Sequence, residues 1–98
     1  MKNKKLNELF FKDRNRDLIS IKGEGVSTFL QNIITQDIIK NSHELKYSAL
    51  LSPQGKYLFD FFIFKRKEYF VIDINKNHSE GIIEKINVYK LRLDINIK

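Results

Sequence analysis

The stretch from Tyr47 to Ile74, YSALLSPQGKYLFDFFIFKRKEYFVIDI, constrains the fold more than any other part of the chain. It holds most of the aromatic residues and the only proline. Three strands fit it: Tyr47 to Leu51, Lys56 to Phe64 and Tyr69 to Ile74. Ser52-Pro53-Gln54-Gly55 turns between the first two. Proline presets the backbone angle at the second position of a type I turn, and glycine is favoured at the fourth. Lys65-Arg66-Lys67-Glu68 is a short charged connection, suited to a solvent-exposed hairpin end.

The middle strand carries one acid among apolar neighbours. Alternation sets Tyr57, Phe59, Phe61 and Ile63 on one face and Leu58, Asp60, Phe62 and Phe64 on the other. A strand apolar on both faces is expected to be covered on both. A carboxylate there is costly unless it is paired, hydrogen-bonded or opened to a cavity, and desolvation would raise its pKa. Asp60 is therefore either a site residue or an acid reaching solvent at a strand end.

Around this centre the chain reads in order as follows. Leu6, Leu9 and Phe10 could share one face of a short turn within an N-terminal arm, residues 1–15. Residues 16–98 form the domain proper. Asp17 to Lys22 alternates as a strand, Gly23-Glu24-Gly25 breaks it, and Val26, Phe29, Leu30, Ile33 and Ile34 then recur at helical spacing. The two glycines lack the third glycine of a dinucleotide fingerprint and the Gly-Lys-Ser/Thr of a phosphate loop, so they read as a tight turn. Thr35-Gln36-Asp37 offers caps for a helical turn from Asp37 to Lys40. A second helix starts near Asn77, with Asn77 or Ser79 as its cap. Its buried stripe is Ile82, Ile83, Ile86, Tyr89 and Leu93. Asp94 to Ile97 alternates as a final strand. The order β-α-β-β-β-α-β predicts an α+β domain, with two main helices packed on a largely antiparallel sheet.

Composition narrows the function. At 98 residues the chain makes one domain. The absence of cysteine excludes disulfides, zinc ribbons and thiol chemistry within it. His43 and His78 stand alone without a second ligand at metal spacing, so no metal site is expected. No apolar run approaches the roughly 20 residues that span a bilayer, and no signal peptide is visible. The expectation is a soluble, cytoplasmic protein with no membrane partner. The net charge of +6 admits an anionic partner. Yet the lysines are scattered, and richness in Lys, Ile and Asn is what AT-rich coding produces, so charge alone argues little for nucleic acid.

Several short motifs occur in a telling order. Arg16-Asp17-Leu18-Ile19-Ser20-Ile21-Lys22-Gly23 is similar to the R-x-L-I-x-V-x-G that opens the YgfZ family of folate-binding proteins, relatives of the glycine cleavage T-protein (aminomethyltransferase). Phe29-Leu30-Gln31 and Thr35-Gln36-Asp37 match the family's F-L-Q and T-x-D. Leu50-Leu51-Ser52-Pro53-Gln54-Gly55-Lys56 resembles its L-L-S-P-Q-G-[KR] turn, and Tyr89-Lys90-Leu91-Arg92 its Y-x-L-R. The matches run from Arg16 to Arg92 and cover nearly the whole chain.

The resemblance implies the first part of a three-domain ring around a tetrahydrofolate cavity, in a protein that serves iron-sulfur enzymes as clients. In T-proteins an Asp in the equivalent strand, within G-G-x-x-D-D, faces folate N10. Counted from Gly55, Asp60 takes the second of those positions and Phe59 replaces the first. Asp60 would then hold or exchange a proton beside a folate nitrogen, from a partly dry site. Tyr47 falls at a folate-facing position by the same resemblance, although a sheet-packing tyrosine reads equally well. Asp73, near the end of the third strand, is a further candidate. The family's K-G-C-[YF]-x-G-Q-E motif does not occur in these 98 residues. The resemblance therefore implies a fragment, completed by the remainder of the fold, which a second polypeptide could supply. Such a fragment is not expected to be an enzyme by itself.

Three alternatives stay open: a piece of an aminomethyltransferase, an inert gene remnant, or an RNA-binding module. The last would stack bases on Tyr57, Phe59 and Phe61. Against the first, L-S-P-Q-G and the single Asp60 fit the YgfZ pattern better than G-G-x-x-D-D.

Overall fold

The structure is a computed structural model that describes residues 15–40, 43–91 and 93–98. The turn expected at Leu6 to Lys12 and the Arg92 of the Y-x-L-R motif lie outside the described residues. Strand β1 spans Arg16–Gly23, helix α1 Val26–Ile33, β2 Lys46–Leu51, β3 Tyr57–Arg66, β4 Tyr69–Asn75, helix α2 Lys76–Lys90 and β5 Ile95–Ile97. The described strands form one sheet in the order β2-β3-β4-β1-β5, every neighbouring pair antiparallel. The α+β reading and its element order are borne out.

Period-two alternation assigns the sheet's two faces. Ile19 and Ile21 of β1, Leu50 of β2, Phe61 and Ile63 of β3, and Phe70, Ile72 and Ile74 of β4 all turn to one side. There they meet Val26, Phe29 and Leu30 of α1 and Ile82 and Ile86 of α2. Each such side chain taken out of water contributes about 1.5–3 kcal/mol before chain entropy is charged against it. Both helices thus lie on one face, and no described element covers the other. The expectation that β3 is covered on both sides is corrected here. Asp60, Phe62 and Phe64 lie on the face without helices and none of them is fully buried, whereas Leu58, beside an irregularity in the β2–β3 pairing, packs against the core.

Glycine makes two close contacts possible. A side chain at Gly23 would lie 2.3 Å from the Asp94 carbonyl oxygen, so its absence is what lets β5 pair with β1. At Gly81, in mid α2, a Cβ would lie 2.8 Å from Phe59 Cζ, so the helix rides directly on that ring. Gly23-Glu24-Gly25 is a turn, as its composition suggests.

One local expectation holds and three shift. The Ser52–Gly55 turn closes with Gly55 N–H donating to the Ser52 carbonyl at 2.9 Å, as the Pro-x-Gly pattern predicts. The second helix, however, begins two residues early. Asn75 at the end of β4 is its cap and accepts from Asn77 N–H at 2.9 Å. That helix stops at Lys90, so Leu93 leaves the buried stripe and stands exposed. Asp37 to Lys40 is not helical. Instead Asp37 Oδ1 accepts from the Ile39 and Lys40 amides at 3.0 and 3.2 Å, which favours the charged carboxylate and lowers its pKa.

Candidate functional site

The face without helices gathers all three candidate residues. Register alone brings them together. Tyr47 of β2 lies opposite Phe62 of β3, Phe62 lies opposite Asp73 of β4, and Asp73 lies opposite Leu18 of β1. Residues opposed in antiparallel strands share a face, so these four form one row across the sheet. Asp60 stands on the same face, two residues before Phe62.

Within the row the polar groups divide into two pairs. The Tyr47 hydroxyl donates to Asp60 Oδ2, and the Tyr47 ring meets Phe62 edge-on at 5.5 Å between centroids. The bond to Asp60 first, then desolvation and the nearby negative charge, pushes the Tyr47 phenol above its usual range. Asp60 itself is exposed. Asp60 thus lacks the dry setting expected for it. Asp60 is neither buried nor at a strand end: it lies mid-strand, holding a phenol and facing outward.

Asp73 differs. It is 1% exposed and receives Arg16 Nε on Oδ1 at 2.9 Å, while a second guanidinium nitrogen of Arg16 donates to the Asp73 carbonyl at 3.0 Å. This paired, sunken carboxylate anchors the start of β1 to β4. Of the three candidates, Asp60 and Tyr47 present polar atoms to solvent, whereas Asp73 has its charge already answered.

Sequence reasoning missed two participants. Arg16 appears there only as the first letter of a motif, since nothing local signals a partner 57 residues away. Phe62 shares its alternation with Asp60, and that signal was present in the sequence.

The RNA-binding alternative loses its surface. Phe61 is 2% exposed, and Phe59 packs against Gly81 and the His78 ring. Of the three aromatics proposed to stack bases, only Tyr57 stands exposed, and one ring is not a stacking platform. Nor does any helix among the described residues have the length and apolarity to cross a membrane.

The motif residues Gln31, Thr35 and Asp37 are building parts of the loop that follows α1. Gln31 donates to the Gln36 carbonyl at 2.8 Å and accepts from Ile38 N–H at 2.9 Å. Thr35 N–H donates to the Ala49 carbonyl at 3.0 Å, and Ala49 N–H returns a bond to Thr35 Oγ1 at 3.1 Å. Gln36 N–H donates to Ser48 Oγ at 3.1 Å. This loop closes the outer edge of β2, right beside Tyr47.

No family profile matches the chain. Individual relatives do. It is 35% identical over 89 residues to the protein of Pyricularia oryzae named iron-sulfur cluster assembly factor IBA57 homolog, mitochondrial, a match that takes in 87% of this chain and 23% of the relative. The protein of the same name from Neurospora crassa is 31% identical over 93 residues, covering 86% of this chain and 21% of its own. The chain thus spans under a quarter of the length of these curated relatives. Among solved structures, the glycine cleavage system aminomethyltransferase T from Bartonella henselae superposes with a TM-score of 0.73 over 84% of this chain and 23% of that one. Its 17% identity makes this a likeness of fold. The expectation of a cytoplasmic protein is corrected by the same relatives, which are named mitochondrial. The resemblance carried by the motifs is borne out: the chain is a homologue of the YgfZ-family iron-sulfur cluster assembly factors, built on part of the aminomethyltransferase fold.

Proposed function

We propose that this chain is the folate-facing part of a YgfZ-type iron-sulfur cluster assembly factor, with iron-sulfur proteins as its clients and the mitochondrion, named for its relatives, as its place of action. One observation carries the reading. Asp60, Tyr47 and Asp73, singled out for different reasons, converge on the sheet face that the helices leave free. The residues present suit one wall of a folate site. Asp60 offers a carboxylate to a ligand N–H, Tyr47 sets that carboxylate's orientation through its hydroxyl, and Phe62 gives a ring surface on which a flat heterocycle can lie. Folate would supply one-carbon chemistry at its nitrogens. The chain's part is to hold the nitrogen's hydrogen-bond partner in place, with the remainder of the family-length fold closing the site.

Tetrahydrofolate titrated calorimetrically into the chain tests this. Asp60→Asn should weaken binding about tenfold, the value of one charge-assisted hydrogen bond, and leave the unfolding midpoint nearly unchanged because Asp60 is exposed. Unaltered affinity in that variant would remove Asp60 from the site. The comparisons favour the assembly factor over an aminomethyltransferase fragment, since the sequence relatives carry the assembly name and the enzyme matches at the level of fold.

A further inference from the structure

The face without helices carries opposite charges at the two ends of β3. Asp60 is exposed toward one end and, among the described residues, has no cation as partner. Arg66 is exposed at the other end on the same side, its guanidinium 5.5 Å from the Phe64 ring and, among the described residues, paired with no acid. Arg16 shares the Asp60 end, but Asp73 already answers its charge. At the usual rise per residue Asp60 and Arg66 are about 20 Å apart, with Phe62 and Phe64 between them. Ile63 is the midpoint, so acid, ring, ring and cation are spaced evenly about it. Beside this strip Leu18 and Tyr47 are large side chains left exposed.

We infer that this face binds a second copy of the chain, related to the first by a two-fold axis that crosses β3 at Ile63. The axis lies between the two sheets at right angles to the strands. It reverses strand direction, so Asp60 of each copy meets Arg66 of the other, and Phe62 meets Phe64. An isologous interface makes every contact twice, which here gives two ion pairs flanking an aromatic centre. Sheets stacked face to face are about 10 Å apart with strands within about 30°, a gap that an aspartate and an arginine side chain bridge together. Charge selects this axis over one parallel to the strands. The latter would set the row of Arg66, Tyr69 and Lys22 against the same row of the other copy. In the arrangement inferred, Lys22 instead faces Arg16, whose charge Asp73 has neutralised. Strands β2, β3, β4 and β1, at about 4.8 Å spacing over about 20 Å, give a patch of roughly 400 Å² in plan. That is small beside the roughly 800 Å² per partner of a standard interface, so the dimer is weak and reversible. It needs no ligand, and a ligand of the same face has to displace the second copy.

Sedimentation equilibrium tests this on the chain and on Asp60→Lys and Arg66→Glu. The unmodified chain should show a reversible monomer–dimer equilibrium at concentrations below roughly 1 mM. Each variant sets like charges together twice per dimer and should self-associate about tenfold more weakly or worse. Mixed in equal amounts, the two variants are complementary at both ends of the interface, and association should return to within about threefold of the unmodified chain. Urea midpoints should stay near that of the unmodified chain, since both positions are exposed. If either variant fails to fold, the salt dependence of the unmodified chain decides: its dimer should weaken as ionic strength rises, and a dimer indifferent to salt overturns the pairing. A chain that stays monomeric throughout, folded variants that self-associate as well as the unmodified chain, or a mixture no tighter than its separate components would each overturn the interface.

Discussion

Tyr47 and Asp60 act as one unit. Ionising Tyr47 would break its hydrogen bond and set a second negative charge beside the first, which is why the phenol's pKa is raised. A group whose pKa rises on folding lends stability that is fully present below its unfolded value, near 10 for tyrosine, and is lost as pH climbs through the folded value. The pair therefore counts at neutral pH and fails only in strong alkali. Absorbance titration near 295 nm, with Tyr47→Phe used to isolate the signal, should show Tyr47 ionising above the usual phenol range and moving down in Asp60→Asn. Superimposable curves for Asp60→Asn and the unmodified chain would mean that the two side chains do not share a proton in solution. Asp60 was legible in the sequence because an acid in an apolar strand breaks a local pattern. Its exposure was not, because alternation shows that a strand has two faces and cannot show where the helices will settle. Arg16 was illegible for a related reason. Its partner, Asp73, is brought to it by β1–β4 register, and no local signal encodes that register.

Among the elements, β2 shows how motif residues serve the fold. It is an edge strand, and bare edges invite pairing with other chains. Here the segment from Ile34 to Gln36 closes that edge, with an isolated bridge from Ile34 to Leu50 and the exchanged bonds between Thr35 and Ala49. Thr35→Val keeps the shape and removes the hydroxyl that Ala49 N–H needs. Ala49 is 1% exposed, so the orphaned donor should cost about 1–3 kcal/mol, read as a lower urea midpoint with an unchanged slope. An unchanged midpoint would show that the loop does not hold the edge. Thr35 and Gln31 were read as marks of family resemblance, and the structure gives them a mechanical task. Strand and helix positions were legible because periodicity is strong in both. The errors fell at ends, where one side chain decides. Asn75 caps α2 ahead of the expected Asn77, and Asp37 folds its own turn in place of a helix.

For the molecule as a whole, the central fact is a sheet that, among the described residues, carries helices on one side. The helix side is a closed apolar core, and the other side carries Leu18, Tyr47 and Phe62 in partial contact with water together with Asp60. The chain matches under a quarter of its relatives' length, and the proposed folate reading places the ligand against this face. That division of labour was half legible in the sequence. The two-sided apolar pattern of β3 announced that both faces matter, and the resemblance supplied the reason why one of them stays free. The most direct measurement is NMR of the chain with its phenylalanine and tyrosine rings labelled, recorded as tetrahydrofolate is added. Resonances of Tyr47, Phe62 and Phe64 should move together with one binding constant, while those of Phe29, Phe61 and Phe70, in the core between helices and sheet, stay in place. Movement confined to the rings under the helices, or no movement at all, would contradict the assignment of the open sheet face as the folate-facing surface.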